Sequence, residues 1–510
     1  MEQKCLKTNV FTNEILFCES LEQAIDIDFS LPDFCPDISK IFKCQAVPRI
    51  SAKSLEGKNI KIDGVVNITL IYAESEGKLC SFEYQFPFEK NIEANKDISG
   101  ANLNCCIKME YINCRAVTGR KVDIHGAAGI LVKAFRRKSS EIISDYDDGN
   151  IEVKRGIVPA TIPMGYAEKY LILEEEIGIG QGQPNIRSIL RCSCSSVVKE
   201  TKIINDKAVV KGEMGVNILY FSDEDESLQS VKTVIPFSQI IDIEGITEEC
   251  ECETRSDVCF FEVKPRMSSV GDNRSFSVIG KILLTSKAFC GNDVAVILDA
   301  FSRKYSADIK KDKVCFEKIT NNIRETFNCK KNIKLDFEIS SLIDLWSNIQ
   351  NINTCFENDE IKINGCLSVG MIVSTKNLDS VFIEKLIDFE YKYTIGQNVS
   401  TKHCEPQIDV VSCGYTITSA DSIELRPELC INAAIYEKNE VSLISELTVN
   451  ENDINVKKGK GAMTIYFPCC DECVWDVARI YNASVEEIMK INELETEKLE
   501  PGKMILVPIL

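Results

Sequence analysis

Asn59-Ile60-Lys61-Ile62-Asp63-Gly64-Val65-Val66-Asn67-Ile68-Thr69-Leu70-Ile71-Tyr72 alternates polar and apolar side chains around a single glycine. Alternation of period two describes a half-buried β-strand, and a glycine inside it marks a bulge or a close approach by neighbouring chain. Working outward, Phe82 to Phe88 reads as a second strand after a Glu/Ser/Gly turn. Lys121 to Val132 reads as another strand, centred on Gly126. Upstream, Leu31-Pro32-Asp33-Phe34-Cys35-Pro36-Asp37-Ile38 breaks the pattern, and Asp37 to Ile41 fits one short helical turn after the proline.

The same order of features recurs. Gly64 in Ile-Asp-Gly is matched by Gly212 in Val-Lys-Gly, 148 residues on, and by Gly365 in Ile-Asn-Gly, a further 153 residues on. Pro87-Phe88 returns as Pro236-Phe237 and as Asp388-Phe389; Asp37-Ile38 returns as Asn185-Ile186 and, more loosely, as Glu338-Ile339. A period near 150 residues is too long for a solenoid unit and long enough for a domain. The expectation is a mainly β chain of three tandem β-rich, sandwich-like domains, at residues 1–165, 166–318 and 319–455. The third copy is the most divergent. The run Glu451 to Gly461, with Lys457, Lys458, Gly459 and Lys460, reads as a linker that should leave the last module mobile.

That module, residues 462–510, reads as strand, helix, helix, strand. Val474, Val477, Ala478 and Tyr481 fall on one helical face. Ser484 with Glu487 three residues on forms a capping box for a second helix, whose buried side is Val485, Ile488, Met489 and Ile491. Met463 to Phe467 and Met504 to Val507 supply the strands, the latter after a Pro501-Gly502 turn. Trp475 is read as core, because so small a unit has few large side chains.

The register of Val474-Trp475-Asp476-Val477-Ala478, Tyr481-Asn482, Ile488, Ile491-Asn492, Leu494, Leu499, Pro501-Gly502 and Val507-Pro508 resembles a LysM domain, a small α+β (βααβ) fold. The resemblance implies binding of N-acetylglucosamine glycans such as peptidoglycan, or protein docking in some members. The binding surface it implies is Asp471, Glu472, Cys473 and Val474 in the first loop and Asn492, Glu493 and Leu494 after the second helix. Where the family has Gly-Asp-Thr-Leu this chain has Asp471-Glu472-Cys473-Val474. Loss of the glycine removes easy access to positive φ and close approach by a sugar, which favours protein docking over glycan binding.

The Leu-Pro-Asp-x-x-Pro-Asp-Ile motif at 31–38, the Gly64 and Gly212 strands and Ile235-Pro236-Phe237 resemble the SPOCS domain of bacterial spore coat proteins. SPOCS repeats followed by LysM resemble clostridial spore coat morphogenetic proteins, made in the mother-cell cytoplasm and placed at the forespore surface. The resemblance implies a non-enzymatic scaffold whose LysM end contacts the ATPase that polymerises as the coat basement layer. The alternative is a peptidoglycan-binding wall or cortex protein.

Composition narrows the rest. A net charge of −19, from 78 acidic against 59 basic residues, repels phosphate backbones and excludes nucleic acid as a partner. No uninterrupted apolar run is long enough for a membrane span, and the N-terminal residues contain no signal-peptide core. With two histidines, His125 and His403, no catalytic or metal constellation is expected and no cofactor is called for. The 24 cysteines read mostly as small buried hydrophobes, and Cys470-x-x-Cys473, though it has redox or zinc spacing, lacks completing ligands. Gly178 to Gly182 lacks the Lys-Ser/Thr of a phosphate loop and reads as a turn.

Overall fold

The computed structural model describes residues 5–225, 227–267, 273–376, 380–396, 402–455 and 461–509. The linker residues Lys457, Lys458, Gly459 and Lys460 lie outside them. Repeat one contains β1 (Cys5–Ser30), β2 (Lys40–Glu56), β3 (Asn59–Ala73), β4 (Leu79–Glu93), β5 (Asn102–Ala116) and β6 (Lys121–Tyr146). Repeat two contains β7 (Ile151–Gly178), β8 (Ile186–Ile204), β9 (Lys207–Ser222), β10 (Leu228–Asp242), β11 (Glu251–Met267) and β12 (Asn273–Ser302). Repeat three contains β13 (Tyr305–Asn328), β14 (Lys331–Lys334), β15 (Ile339–Glu357), β16 (Glu360–Thr375), β17 (Ser380–Thr394), β18 (Lys402–Cys404), β19 (Gln407–Ser419) and β20 (Ser422–Ile454). The terminal module is β21 (Met463–Tyr466), α1 (Val474–Tyr481), α2 (Val485–Ile491) and β22 (Ile505–Pro508).

Each repeat makes two antiparallel sheets: β1-β6-β5 with β2-β3-β4, then β11-β12-β7 with β10-β9-β8. In repeat three, β15-β16-β17 faces a sheet in which β20 pairs with β13, β14, β18 and β19. Each pair encloses its own apolar core, built in repeat one on Ile25, Ile60, Ile68 and Ile124. Strand pairing runs from 5 to 146, 151 to 302 and 305 to 454. The expected divisions after 165 and 318 therefore fall inside β7 and β13, long strands whose pattern is interrupted by Pro163 and Gly165 or by charge. Asp37 to Ile41 is not a helical turn: Ile38 is buried, its N–H donates to Gly119 O at 2.6 Å, and the chain runs extended into β2. The preceding loop is closed by Arg120, which donates to the carbonyls of Leu31, Pro32 and Cys35. Arg274 does the same to Gly180 and Gln183 O, so the glycine-rich segment of repeat two is a held turn.

The central glycines are explained by what lies across the sheet. Gly64, Gly212 and Gly365 pair with Phe88, Phe237 and Phe389. In each case the phenyl ring folds over the glycine, and a Cβ there would sit 2.2–2.3 Å from ring carbon and 2.6 Å from the carbonyl of Arg49, Val197 or Asn351 on the other neighbouring strand. Those carbonyls belong to strands that carry a register shift at that point. The glycine thus serves both a bulge and an aromatic lid.

The three repeats close around one another with approximate threefold symmetry. Ile71, Leu219 and Ile372, each seven residues beyond the central glycine, are buried in one cluster with Leu190, against Phe42 and Ile343. Opposite them in register are Lys43, Arg191 and Asp344. Here the symmetry is broken by charge. Arg191 and Asp344 are almost wholly buried and paired; Asp344 also accepts from Asn217 Nδ2 at 3.0 Å, and the guanidinium lies 4.2 Å from the Trp346 ring. Lys43 pairs with Glu384 at 2.6 Å, joining repeats one and three. Farther along, the long hairpins outrun their own sandwiches and share a second core. It contains Val10, Val158 and Val314 with Ile142, Val296 and Leu443, followed by Ile143, Ile297 and Ile444.

Two outcomes are expected. Gly212→Ala should destabilise by about 2–3 kcal/mol, since the ring can move but the Val197 carbonyl cannot; Gly291→Ala, with open space around it, is the neutral control. Thermal unfolding that is equal for both would contradict the lid. Arg191→Met should cost about 3–5 kcal/mol by stranding Asp344, and Arg191→Met with Asp344→Leu should recover most of it. A double variant no more stable than the single would show that the pair is not an isolated charge couple.

Candidate functional site

The terminal module closes on Val474, Val477, Ala478, Ile488 and Val507, each fully buried. The face expected from the sequence for α1 is the one observed. On α2, Ile488 is buried, whereas Ile491 is 37% exposed instead of lying on the buried side, because the helix ends there and the chain turns away at Asn492. Ser484 accepts from the Glu487 N–H at 3.5 Å, but the Glu487 carboxylate does not return the bond; one of its oxygens is buried without a partner. The bond from the N-cap N–H back to a first-turn carboxylate is made instead at α1. The Cys473 N–H donates to Asp476 Oδ2 at 2.9 Å and the Cys473 thiol to the same oxygen at 3.0 Å.

In the first loop, Asp471 is exposed and takes φ +67°, the conformation expected to need glycine. Aspartate tolerates it at a cost of about 1 kcal/mol, so the backbone path survives the loss of glycine. Glu472 is turned inward, accepting from the Cys469 N–H at 2.8 Å and from the Tyr466 hydroxyl at 3.0 Å. Burial, and then the bond to Glu472, push the Tyr466 phenol up to about 12. Val474 is buried and its N–H donates to Glu497 O at 2.8 Å; a bridge between Cys473 and Lys498 also ties this loop to the segment after α2.

On the other side, Asn492 joins α2 to β22. Its Nδ2 donates to Ile488 O at 2.8 Å and Leu506 O at 2.7 Å, and its Oδ1 accepts from the Leu506 N–H at 2.7 Å. Leu494 packs on the module core, and its N–H donates to Met489 O at 3.0 Å. Glu493 is exposed at φ +50°. The two loops are adjacent, but of the seven candidate residues only Asp471 and Glu493 present exposed side chains. Glu472, Cys473, Val474, Asn492 and Leu494 are engaged in holding the module together.

Two features escaped the sequence reading. The first is a row of exposed apolar side chains on β21 and flanking the two strands: Met463, Ile465, Phe467 and Met504, each more than half exposed. The signal was present as alternation, with Thr464 and Tyr466 inward. The second is the surrounding of Trp475. It is 4% exposed, as a core residue should be, but its ring lies 5.0 Å edge-on from Phe301 at the end of β12. Its Nε1–H donates to Asp299 Oδ2 at 3.0 Å. Arg479 also reaches Asp299 Oδ2 at 2.8 Å, so the module is joined to repeat two and does not hang free on its linker. Nothing in the sequence connects positions so far apart.

Elsewhere, His125 is half-exposed between Asp26 and Asp123, whose hydrogen bonds and charge raise its pKa, while burial lowers that of His403, stacked on Tyr436. All 24 cysteines are free thiols, five of them exposed: Cys18, Cys315, Cys355, Cys469 and Cys470. Burial pushes Cys192 and Cys404 up to about 12. Among the described residues no group of three or more His, Cys, Asp or Glu is arranged to hold a metal, and no helix is long and apolar enough to cross a membrane.

The fold and site define a ring of three β-sandwich repeats carrying a small βααβ module. A family model described as SipL, SPOCS domain matches residues 37–117 and 185–265, and one described as LysM domain matches residues 471–508. The chain thus carries two SPOCS domains followed by a LysM domain. The match takes in the first two copies; the third is recognised by its strands and by the Gly365–Phe389 pair. No curated protein and no solved structure matches the chain.

Cys473→Ser should keep the α1 cap, whereas Cys473→Ala should cost the LysM domain about 1 kcal/mol. Burial and the bond to Asp476 raise the Cys473 thiol, so at pH 8 it should react with a thiol reagent more slowly than the exposed Cys469 and Cys470. Equal reactivity of the three would show that the thiol is not held as a cap.

Proposed function

We propose that this chain is a non-enzymatic scaffold of spore coat assembly, in which the three-repeat ring is a platform and the LysM domain docks a protein partner. By resemblance that partner is the coat morphogenetic ATPase of the basement layer, met at the forespore surface on its mother-cell side. The observation that carries this reading is the contrast between the two surfaces of the LysM domain. The expected glycan-binding loops spend Glu472, Cys473 and Asn492 on internal hydrogen bonds, and Trp475 is turned into repeat two instead of offering its face to a sugar. The strand surface, in contrast, exposes Met463, Ile465, Phe467 and Met504 together. Contiguous exposed apolar side chains of this kind mark protein contacts.

The second reading is peptidoglycan binding, supported by the LysM match and by the positive φ kept at Asp471. The two separate by experiment. The full chain should not be retained by purified peptidoglycan. Ile465→Glu with Phe467→Glu, and deletion of residues 460–510, should each abolish its recruitment in a sporulating cell. Normal localisation of the truncated chain would overturn the docking reading. Retention on peptidoglycan that is lost on changing the exposed Asp471 and Glu493 would establish the glycan reading in its place.

A further inference from the structure

We infer that the end of repeat two is a receptor for α1 of the LysM domain, forming an intramolecular latch that holds this domain in one orientation and withholds Trp475 from other partners. The inference does not depend on whether the LysM domain binds protein or glycan.

The latch is centred on one carboxylate. Asp299, 9% exposed, receives Trp475 Nε1–H at 3.0 Å, Arg479 Nη1 at 2.8 Å and Lys311 Nζ at 2.8 Å. Three donors occupy both oxygens of the carboxylate, and a charged acceptor makes each bond stronger than a neutral one. Phe301 supplies the apolar part: it is buried within the LysM core cluster although it belongs to β12. Without α1 against it, Phe301 would be an exposed aromatic beside a half-paired acid.

The site is specific to repeat two. Ile143, Ile297 and Ile444 are equivalent positions around the shared core. Counting two and four residues onward gives Asp299 and Phe301 in repeat two, Asp145 and Asp147 in repeat one, and Glu446 and Thr448 in repeat three. The other two acids are already engaged, Asp145 by Arg155 on the adjoining strand β7 at 2.7 Å and Glu446 by Lys310 on its own hairpin at 3.2 Å, and the residues in the place of Phe301, Asp147 and Thr448, are not aromatic. Only one of three equivalent hairpin ends can receive the indole.

The connection explains why the LysM domain of the same chain fills it. Asn455, the last described residue before the linker, donates through Nδ2 to Ser302 O at 2.9 Å and Tyr305 O at 2.8 Å. The linker therefore starts beside Phe301, although its residue follows repeat three in sequence. Eight residues to Met463 reach at most about 28 Å. So short a tether gives an effective concentration in the millimolar range, enough to keep a small contact closed. While latched, the domain still exposes Asp471, Glu493 and the Ile465 face.

The presence of only two tryptophans, Trp346 and Trp475, makes the latch directly observable. The full chain labelled with 5-fluorotryptophan should give two broad 19F resonances, assigned with Trp475→Phe, and should sediment as a monomer. Asp299→Ala with Phe301→Ala should shift and narrow the Trp475 line severalfold, as the small domain tumbles by itself, and leave the Trp346 line unchanged as proof that the repeats are folded. A Trp475 line already narrow in the unaltered chain would overturn the latch. So would a line unmoved by the double substitution, or a dimer in sedimentation, which would mean that the receptor is filled by a second copy.

Discussion

The structure depends on apolar side chains that no repeat can bury by itself. Ile71, Leu219 and Ile372 occupy the same place in three sandwiches, on the outer surface of each, and leave water only because the three meet. The same holds for Ile142, Val296 and Leu443 on the long hairpins. Each such side chain contributes about 1.5–3 kcal/mol on burial. The repeats are thus less like beads on a string than like subunits of a trimer joined into one chain.

Symmetry is also what the buried charges break. A ring of three similar faces can close in wrong registers, and Arg191 against Asp344 at equivalent positions makes one junction unlike the others. A buried pair is a poor source of net stability, and its established use is in fixing register. Lys43 with Glu384 marks a second junction with a different, partly exposed pair. The LysM domain extends this logic: three hairpin ends are equivalent in backbone, and one carries the Asp299–Phe301 combination that receives α1.

For function, the site is defined as much by what is spent as by what is exposed. Glu472, Cys473 and Asn492 are the residues that the LysM resemblance brings forward, and all three are committed to holding loops in place. Asp471 keeps the glycine conformation by virtue of its short polar side chain. The polar groups left to meet a ligand are few, and the apolar strand surface is the larger feature.

The sequence by itself determined the strands, their period and the terminal βααβ unit. Alternation, the central glycines and helical spacing are local signals, and each repeats at a constant offset. It also located the cap at Ser484 and the buried face of α1. It misjudged Asp37 to Ile41, where a proline suggested a turn of helix and a backbone bond to Gly119 decided for extended chain. It cut the repeats inside β7 and β13, because prolines, glycines and charges that look like boundaries lie on long hairpins with exposed faces. Only the tertiary structure decided that the three sandwiches share cores, that Arg191 finds Asp344, and that Trp475 is closed off by Asp299 and Phe301. Those pairings join positions about 150 residues apart or more, and no local pattern encodes which distant surface an apolar or charged side chain will meet.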